Sequence, residues 1–259
     1  MLDQTAADTI AFPLPMLLEE SCRVIALVRE DLAHPKCQFI WKTSTFGRAF
    51  SLAALSHECL ILDQLNIGCH LDFPTMTMGL LSRHHLETWL TGMYLLEGGS
   101  EALELFLGES HRASTTLHKK IQELQDQGQA LDIPNPPCVD NTWEPKRWNF
   151  EFVANALEQL SEETGRIKGV LETYHRVYRA LSGLHGGHPT HRVLDSYIDT
   201  THGFAHILRE SQAPPLHREL LKWSIMLTST HALLALADDG LPTATFAEVI
   251  QSLTPTDRT

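Results

Sequence analysis

Apolar residues recur every three or four positions along most of this 259-residue chain. That spacing lines one face of an α-helix. It predicts helices over 14–32, 45–67, 75–96, 100–127, 150–163, 166–184, 216–238 and 246–253. The punctuation agrees. Pro35 follows the first segment, Gly68 closes the second, Pro74 opens the third and Gly98-Gly99 ends it, as expected of residues that start or stop helices. Glu101 and Glu104 near the start of the fourth helix, with Lys119-Lys120 further along, suit the helix macrodipole. The stretch 190–208 reads less clearly, and short helices fit it. No alternating run bounded by turn residues competes as a strand. The expected fold is an all-α helical bundle, one domain over 1–259. A proline-rich excursion at 132–147 interrupts it, carrying Pro134, Pro136, Pro137 and Pro145.

Hydrophobic residues make up 43% of the chain, ample for a core, and the net charge is −12. Such an acidic chain is not one that coats nucleic acid or an anionic membrane by bulk attraction, although a local basic site remains open. Five cysteines without a Cys-x-x-Cys pair fit a reduced chain that uses them as small apolar residues. The N-terminal Met-Leu-Asp-Gln lacks a basic region, and the apolar run Trp223–Ala237 reads as too short and too polar to cross a bilayer. The expectation is a cytoplasmic protein with no membrane partner.

Positive charge is concentrated in one place. Between Arg166 and Arg192 lie Arg166, Lys168, Arg176, Arg179 and Arg192 against the single acid Glu172, with His175, His185, His188 and His191 besides. Such a patch can hold a phosphate. It can equally be a solvated face balanced by acidic neighbours. On an ideal helix, Ile167, Val170, Leu171, Tyr174, Val177, Tyr178 and Leu181 form one apolar stripe, with His175, Arg179 and Ser182 on its flank. Arg179 and His185 would stand roughly 120° apart, so they meet only if the helix distorts near Gly183 or if they act from two edges of one pocket.

The third helix carries Arg83-His84-His85-Leu86-Glu87. Arg83 and Glu87 are four apart and share a face bordering the stripe Leu86, Trp89, Leu90 and Met93. A packing ion pair is the simpler reading; the sharper one points Arg83 into the site of the sixth helix.

Arg83-x-x-x-Glu87, an intervening long helix, then Tyr178-Arg179-x-Leu181-Ser182-x-x-His185 resembles a family of uncharacterised bacterial all-helical proteins, a domain of unknown function, over about 45–200. More widely, Arg179-Ala-Leu-Ser-Gly-Leu-His185 resembles the Arg-x4–6-His signature of the HEPN superfamily, many of whose members are metal-independent endoribonucleases. The position after Arg179 is Ala180, where that signature commonly has a polar residue. The resemblance implies a homodimer acting on RNA, in a toxin or defence role, without a cofactor. Arg179 would stabilise the phosphate and His185 would act as general acid or base. Ser182, Arg83 and His175 are the candidate substrate-binding residues. The chemistry is coherent, because cleavage by the RNA's own 2′-hydroxyl needs a proton acceptor, a proton donor and a cation.

Two other readings stand beside it. His185-Gly-Gly-His188-Pro-Thr-His191 offers three imidazoles that could bind a transition metal, completed by Glu87, His84 or His85. Alternatively, the chain is a non-catalytic module that binds a nucleotide or a protein.

Overall fold

The computed structural model describes residues 12–37, 46–127, 148–167, 169–175, 198–199, 206–207, 214–237 and 240–254. They are α-helical almost throughout. In chain order the helices are α1 (Leu14–Leu32), α2 (Phe46–His70), α3 (Thr75–Glu97), α4 (Gly99–Asp126), α5 (Phe150–Thr164), the single turn α6 (Val170–Thr173), α7 (Pro214–Ala237) and α8 (Ala244–Leu253). A short 3-10 turn at Pro35–Cys37 follows α1. The all-α expectation holds, and most helix ends fall within two residues of those read from periodicity. The proline-rich excursion lies outside the described residues.

Three expectations need correction. Gly68 does not end α2; the helix runs through it to His70. The residue is glycine for space. A Cβ there would collide with Met78 Sδ and sit 3.0 Å from the Phe73 ring, so α2 and α3 close tightly just before their turn. The sixth helix does not begin at Arg166. Gly165 (φ 67°) and Gly169 (φ 71°) both take left-handed backbone, which an L side chain disfavours. They leave Arg166 and Ile167 outside any helix, and α6 starts at Val170, where Glu158 Oε2 accepts the Leu171 N–H at 3.1 Å. Within 190–208 the described residues are not helical: Ile198–Asp199 pairs antiparallel with His206–Ile207.

α2 and α3 form a tight antiparallel hairpin, α7 packs across both, α1 packs on α2 and α7, and α8 packs on α7. Two apolar clusters result. The first joins α1, α2, α7 and α8 through residues such as Val24, Leu55, Leu62, Ile225 and Phe246. The second joins the C-terminal half of α3 to α5 and α6 through Leu86, Trp89, Leu90, Leu157, Val170 and Tyr174. The main neighbour of α6 is α5, and it meets α3 through this shared cluster. Trp148, edge-on to Tyr94, Phe106 and Phe150, anchors the start of α5 on α3 and α4.

α7 also revises a sequence expectation. Its Leu216–Ala237 stretch is long and apolar enough to cross a membrane by length and composition, with a mean hydropathy of 1.3. Its composition has another cause: 61% of that window is buried against the other helices.

Candidate functional site

The densest polar grouping among the described residues lies where α2, α3 and α7 meet, at the seam between the two apolar clusters. Ser51 and Glu58 come from α2, His85 from α3, and Thr228 and His231 from α7; all five are fully buried. Ser51 Oγ is 2.9 Å from His231 Nε2, and His231 Nδ1 is 2.6 Å from Glu58 Oε1. His85 Nε2 is 2.9 Å from Thr228 Oγ1. Gly92 makes room for the His231 ring: a Cβ there would collide with His231 Cε1 and lie 2.9 Å from Ala54 Cβ.

The electrostatics follow from burial. Removal from water drives the Glu58 carboxyl upward, while His231 and the Thr228 hydroxyl pull it back. His85 is pushed down to about 3, chiefly by burial and then by neighbouring His84, His231 and His57. Its imidazole is therefore neutral near pH 7. Hydroxyl, imidazole and carboxyl in line admit two proton arrangements. With Glu58 ionised, His231 Nδ1–H donates to the carboxylate and Nε2 accepts from Ser51. With Glu58 protonated, its O–H donates to Nδ1, and Nε2–H donates to Ser51. This is the connectivity of a nucleophile, a base and an orienting acid. Ser51 has no exposed surface, however, so in this conformation the line shares a proton inside the protein and meets no substrate.

A separate histidine contact lies at the surface nearby. His57 of α2 and His84 of α3, both exposed, bring their Nε2 atoms to 2.9 Å with the rings edge to face. One ring must donate and the other accept, so both cannot be fully protonated while the contact lasts.

Of the predicted catalytic and substrate-binding residues, Arg83 and His175 fall within the described residues. Arg83 Nε donates to Glu87 Oε1 at 2.9 Å, and both side chains are about three-quarters buried. His175 follows α6, where the helical turn widens to π-type geometry. Its ring lies edge-on to Tyr174, and its buried Nδ1 has no hydrogen-bond partner. Arg179, Ser182, His185, His188 and His191 lie outside the described residues. The supposed metal partners on α3 separate: His84 is exposed beside His57, His85 is enclosed beside Thr228, and Glu87 is held by Arg83. Among the described residues, no three His, Cys, Asp or Glu side chains are grouped to hold a metal ion. Burial pushes the Cys59 thiol up to about 12 and the Cys69 thiol up to about 11, which makes both poor nucleophiles. In the basic segment, Arg166 already pairs with Glu97 at 3.3 Å.

Sequence reasoning missed Ser51, His57, Glu58, Thr228 and His231 as members of a network. A signal was present. Ser51, Leu55, Glu58, Leu62 and Leu65 follow the spacing of one helical face, so two polar residues interrupt an apolar stripe. A carboxylate in such a place needs a buried partner. Comparison with protein-family models, with curated proteins and with solved structures finds no match.

Proposed function

We propose that this protein is a metal-independent endoribonuclease of the HEPN type that works as a homodimer. The observation that carries the reading is the concentration of five Lys/Arg and four His between Arg166 and Arg192 in a chain of net charge −12. An RNA phosphate needs such a local reversal of sign to approach an acidic protein. The all-α fold is the class that the resemblance implies. Arg83 and His175 add support, because the elements that carry them, α3 and the end of α6, bury their apolar sides in one cluster. The unpartnered Nδ1 of His175 leaves hydrogen-bonding capacity at that edge.

In this reading Arg179 meets the non-bridging oxygens of the scissile phosphate and stabilises the charge that develops on them. One imidazole removes the 2′-hydroxyl proton as that oxygen attacks phosphorus. The 5′-oxygen leaves with a proton from an imidazolium, and a 2′,3′-cyclic phosphate remains. His185 takes one of these proton roles, and its counterpart in the second protomer supplies the other. Ser182, Arg83 and His175 hold the substrate. Incubation of purified protein with labelled RNA in excess EDTA tests the proposal. Cleavage that is lost in Arg179→Ala and in His185→Ala supports it. Activity that needs added metal and is lost in His188→Ala or His191→Ala would assign the histidine cluster to a metal centre instead.

A further inference from the structure

A cleft of about 380 Å³ opens where the end of α3, the start of α4 and the length of α5 come together. That volume lies within the range of about 300–1,000 Å³ typical of small-molecule sites. One wall is a single face of α5: Phe152, Asn155, Ala156, Gln159, Leu160 and Glu163 follow its i, i+3, i+4 spacing. From Phe152 to Glu163 this face runs about 16 Å at the helical rise, so the cleft is an elongated groove. Tyr94, Gly98 and Glu101 line it from the other side. Tyr94 is only 3% exposed, and its hydroxyl has no hydrogen-bond partner among the described residues. Gly98 leaves room for the hydroxyl end of that ring, because a Cβ there would lie 3.0 Å from Tyr94 Cε2. The Asn155 side-chain N–H donates to the Glu151 carbonyl at 2.7 Å, which leaves Asn155 Oδ1 as an acceptor.

We infer that this groove binds a free polyamine, an alkyl chain carrying two or more ammonium groups. The charge of the lining selects that class. Two carboxylates, Glu101 and Glu163, line the groove, and no Lys, Arg or His does. Neither carboxylate is ion-paired among the described residues. Arg166, three positions beyond Glu163, is held by Glu97 at 3.3 Å. An ammonium has only donors to offer. The groove answers with acceptors: the carboxylate oxygens, Asn155 Oδ1 and the Tyr94 oxygen. Burial, and then the Glu101 charge, push the Tyr94 phenol upward, so the phenol stays neutral and feels that carboxylate. Ala156 and Leu160 supply apolar surface for the methylenes, and the half-exposed Phe152 ring offers a face to a cation. An anion would be repelled by both carboxylates. An inorganic metal ion lacks ligands, because among the described residues no three His, Cys, Asp or Glu side chains are grouped to hold one. The length of the groove favours a chain over a compact amine. The inference does not rest on RNA cleavage.

Isothermal titration calorimetry of the full chain with spermidine at constant ionic strength tests it. The parent should bind one spermidine per chain. Glu101→Gln and Glu163→Gln should each weaken binding about tenfold, the typical cost of losing one charge-assisted hydrogen bond. Glu19→Gln and Glu30→Gln, at exposed acids of α1, remove the same charge elsewhere and should bind as the parent does. Tyr94→Phe should weaken binding at an unchanged melting temperature, since the hydroxyl has no bond within the protein to lose. Octanediol, an uncharged chain, should not bind, and the single ammonium of Nα-acetyl-lysine amide should bind more weakly than spermidine. No binding by the parent, or equal losses in the groove and α1 variants, would overturn the inference; the second result would reduce it to bulk attraction by a chain of net charge −12. Octanediol binding as tightly as spermidine would overturn it in favour of an apolar site. Lysine amide binding as tightly would overturn it in favour of a lysine side chain of a protein partner. Spermidine binding by a protein that fails to cleave RNA would count against the ribonuclease reading alone.

Discussion

His231 Nδ1 lies 2.6 Å from Glu58 Oε1, joining α7 to α2 across 173 positions of sequence with neither side chain exposed. Burying a carboxyl costs free energy unless a partner offsets it, and breaking such a pair leaves the cost uncompensated. His231→Ala is therefore expected to destabilise the fold by about 3–5 kcal/mol. In His231→Ala/Glu58→Ala the loss should be less than the sum of the single losses. Urea denaturation of the four proteins in this cycle measures the coupling; simple additivity would mean that the pair contributes nothing jointly.

His85 makes stability depend on pH. Its folded pKa is about 3, against 6.5 for an ordinary histidine. The unfolded chain therefore binds this proton first as the pH falls. The contribution is fully favourable above pH 6.5 and is lost between pH 6.5 and 3, by at most about 1.4 kcal/mol per pH unit. His85→Gln keeps a donor for Thr228 and removes the titration. Its stability, relative to that of the parent, should rise as the pH is lowered from 7 to 4. Parallel curves for the two proteins would show that His85 does not titrate in this way.

Gly92 and Gly165 should respond differently to alanine. At Gly92 the new methyl group meets the His231 ring and Ala54 within a packed core, with a typical cost of about 1–3 kcal/mol. At Gly165 there is open space, and the penalty comes from φ of 67° alone, about 1 kcal/mol. Thermal melts rank the two. In addition, only Gly92→Ala should disturb the His231 imidazole resonances.

Arg83→Ala separates packing from substrate contact. The Arg83–Glu87 pair is a helical i, i+4 bridge with both side chains about a quarter exposed, a type that contributes about 0.3–0.5 kcal/mol where solvated. Its loss should barely move the melting temperature, yet RNA cleavage should fall at least tenfold if Arg83 faces the substrate. Unchanged cleavage would leave Arg83 a packing residue.

The helices were legible because their apolar faces repeat at 3.6 residues, and this signal survives without any knowledge of tertiary contacts. What periodicity could not supply was set by neighbours. Gly68 reads as a stop, but it is glycine to make room for Met78 and Phe73, and α2 continues to His70. Gly169 reads as tolerable inside a helix, but its left-handed backbone delays α6 to Val170. The spacing of Glu58 marks it as an acid on an apolar face, but not its partner: His231 stands 173 positions away. Arg83 with Glu87 was visible because both lie on one helix, at a fixed spacing.

Cleavage of a labelled RNA in excess EDTA, with analysis of the product ends, bears most directly on function. Cleavage to 2′,3′-cyclic phosphate ends is expected from the parent, with none from Arg179→Ala or His185→Ala at unchanged melting temperature. No cleavage by a folded dimer, or cleavage that both variants retain, would contradict it.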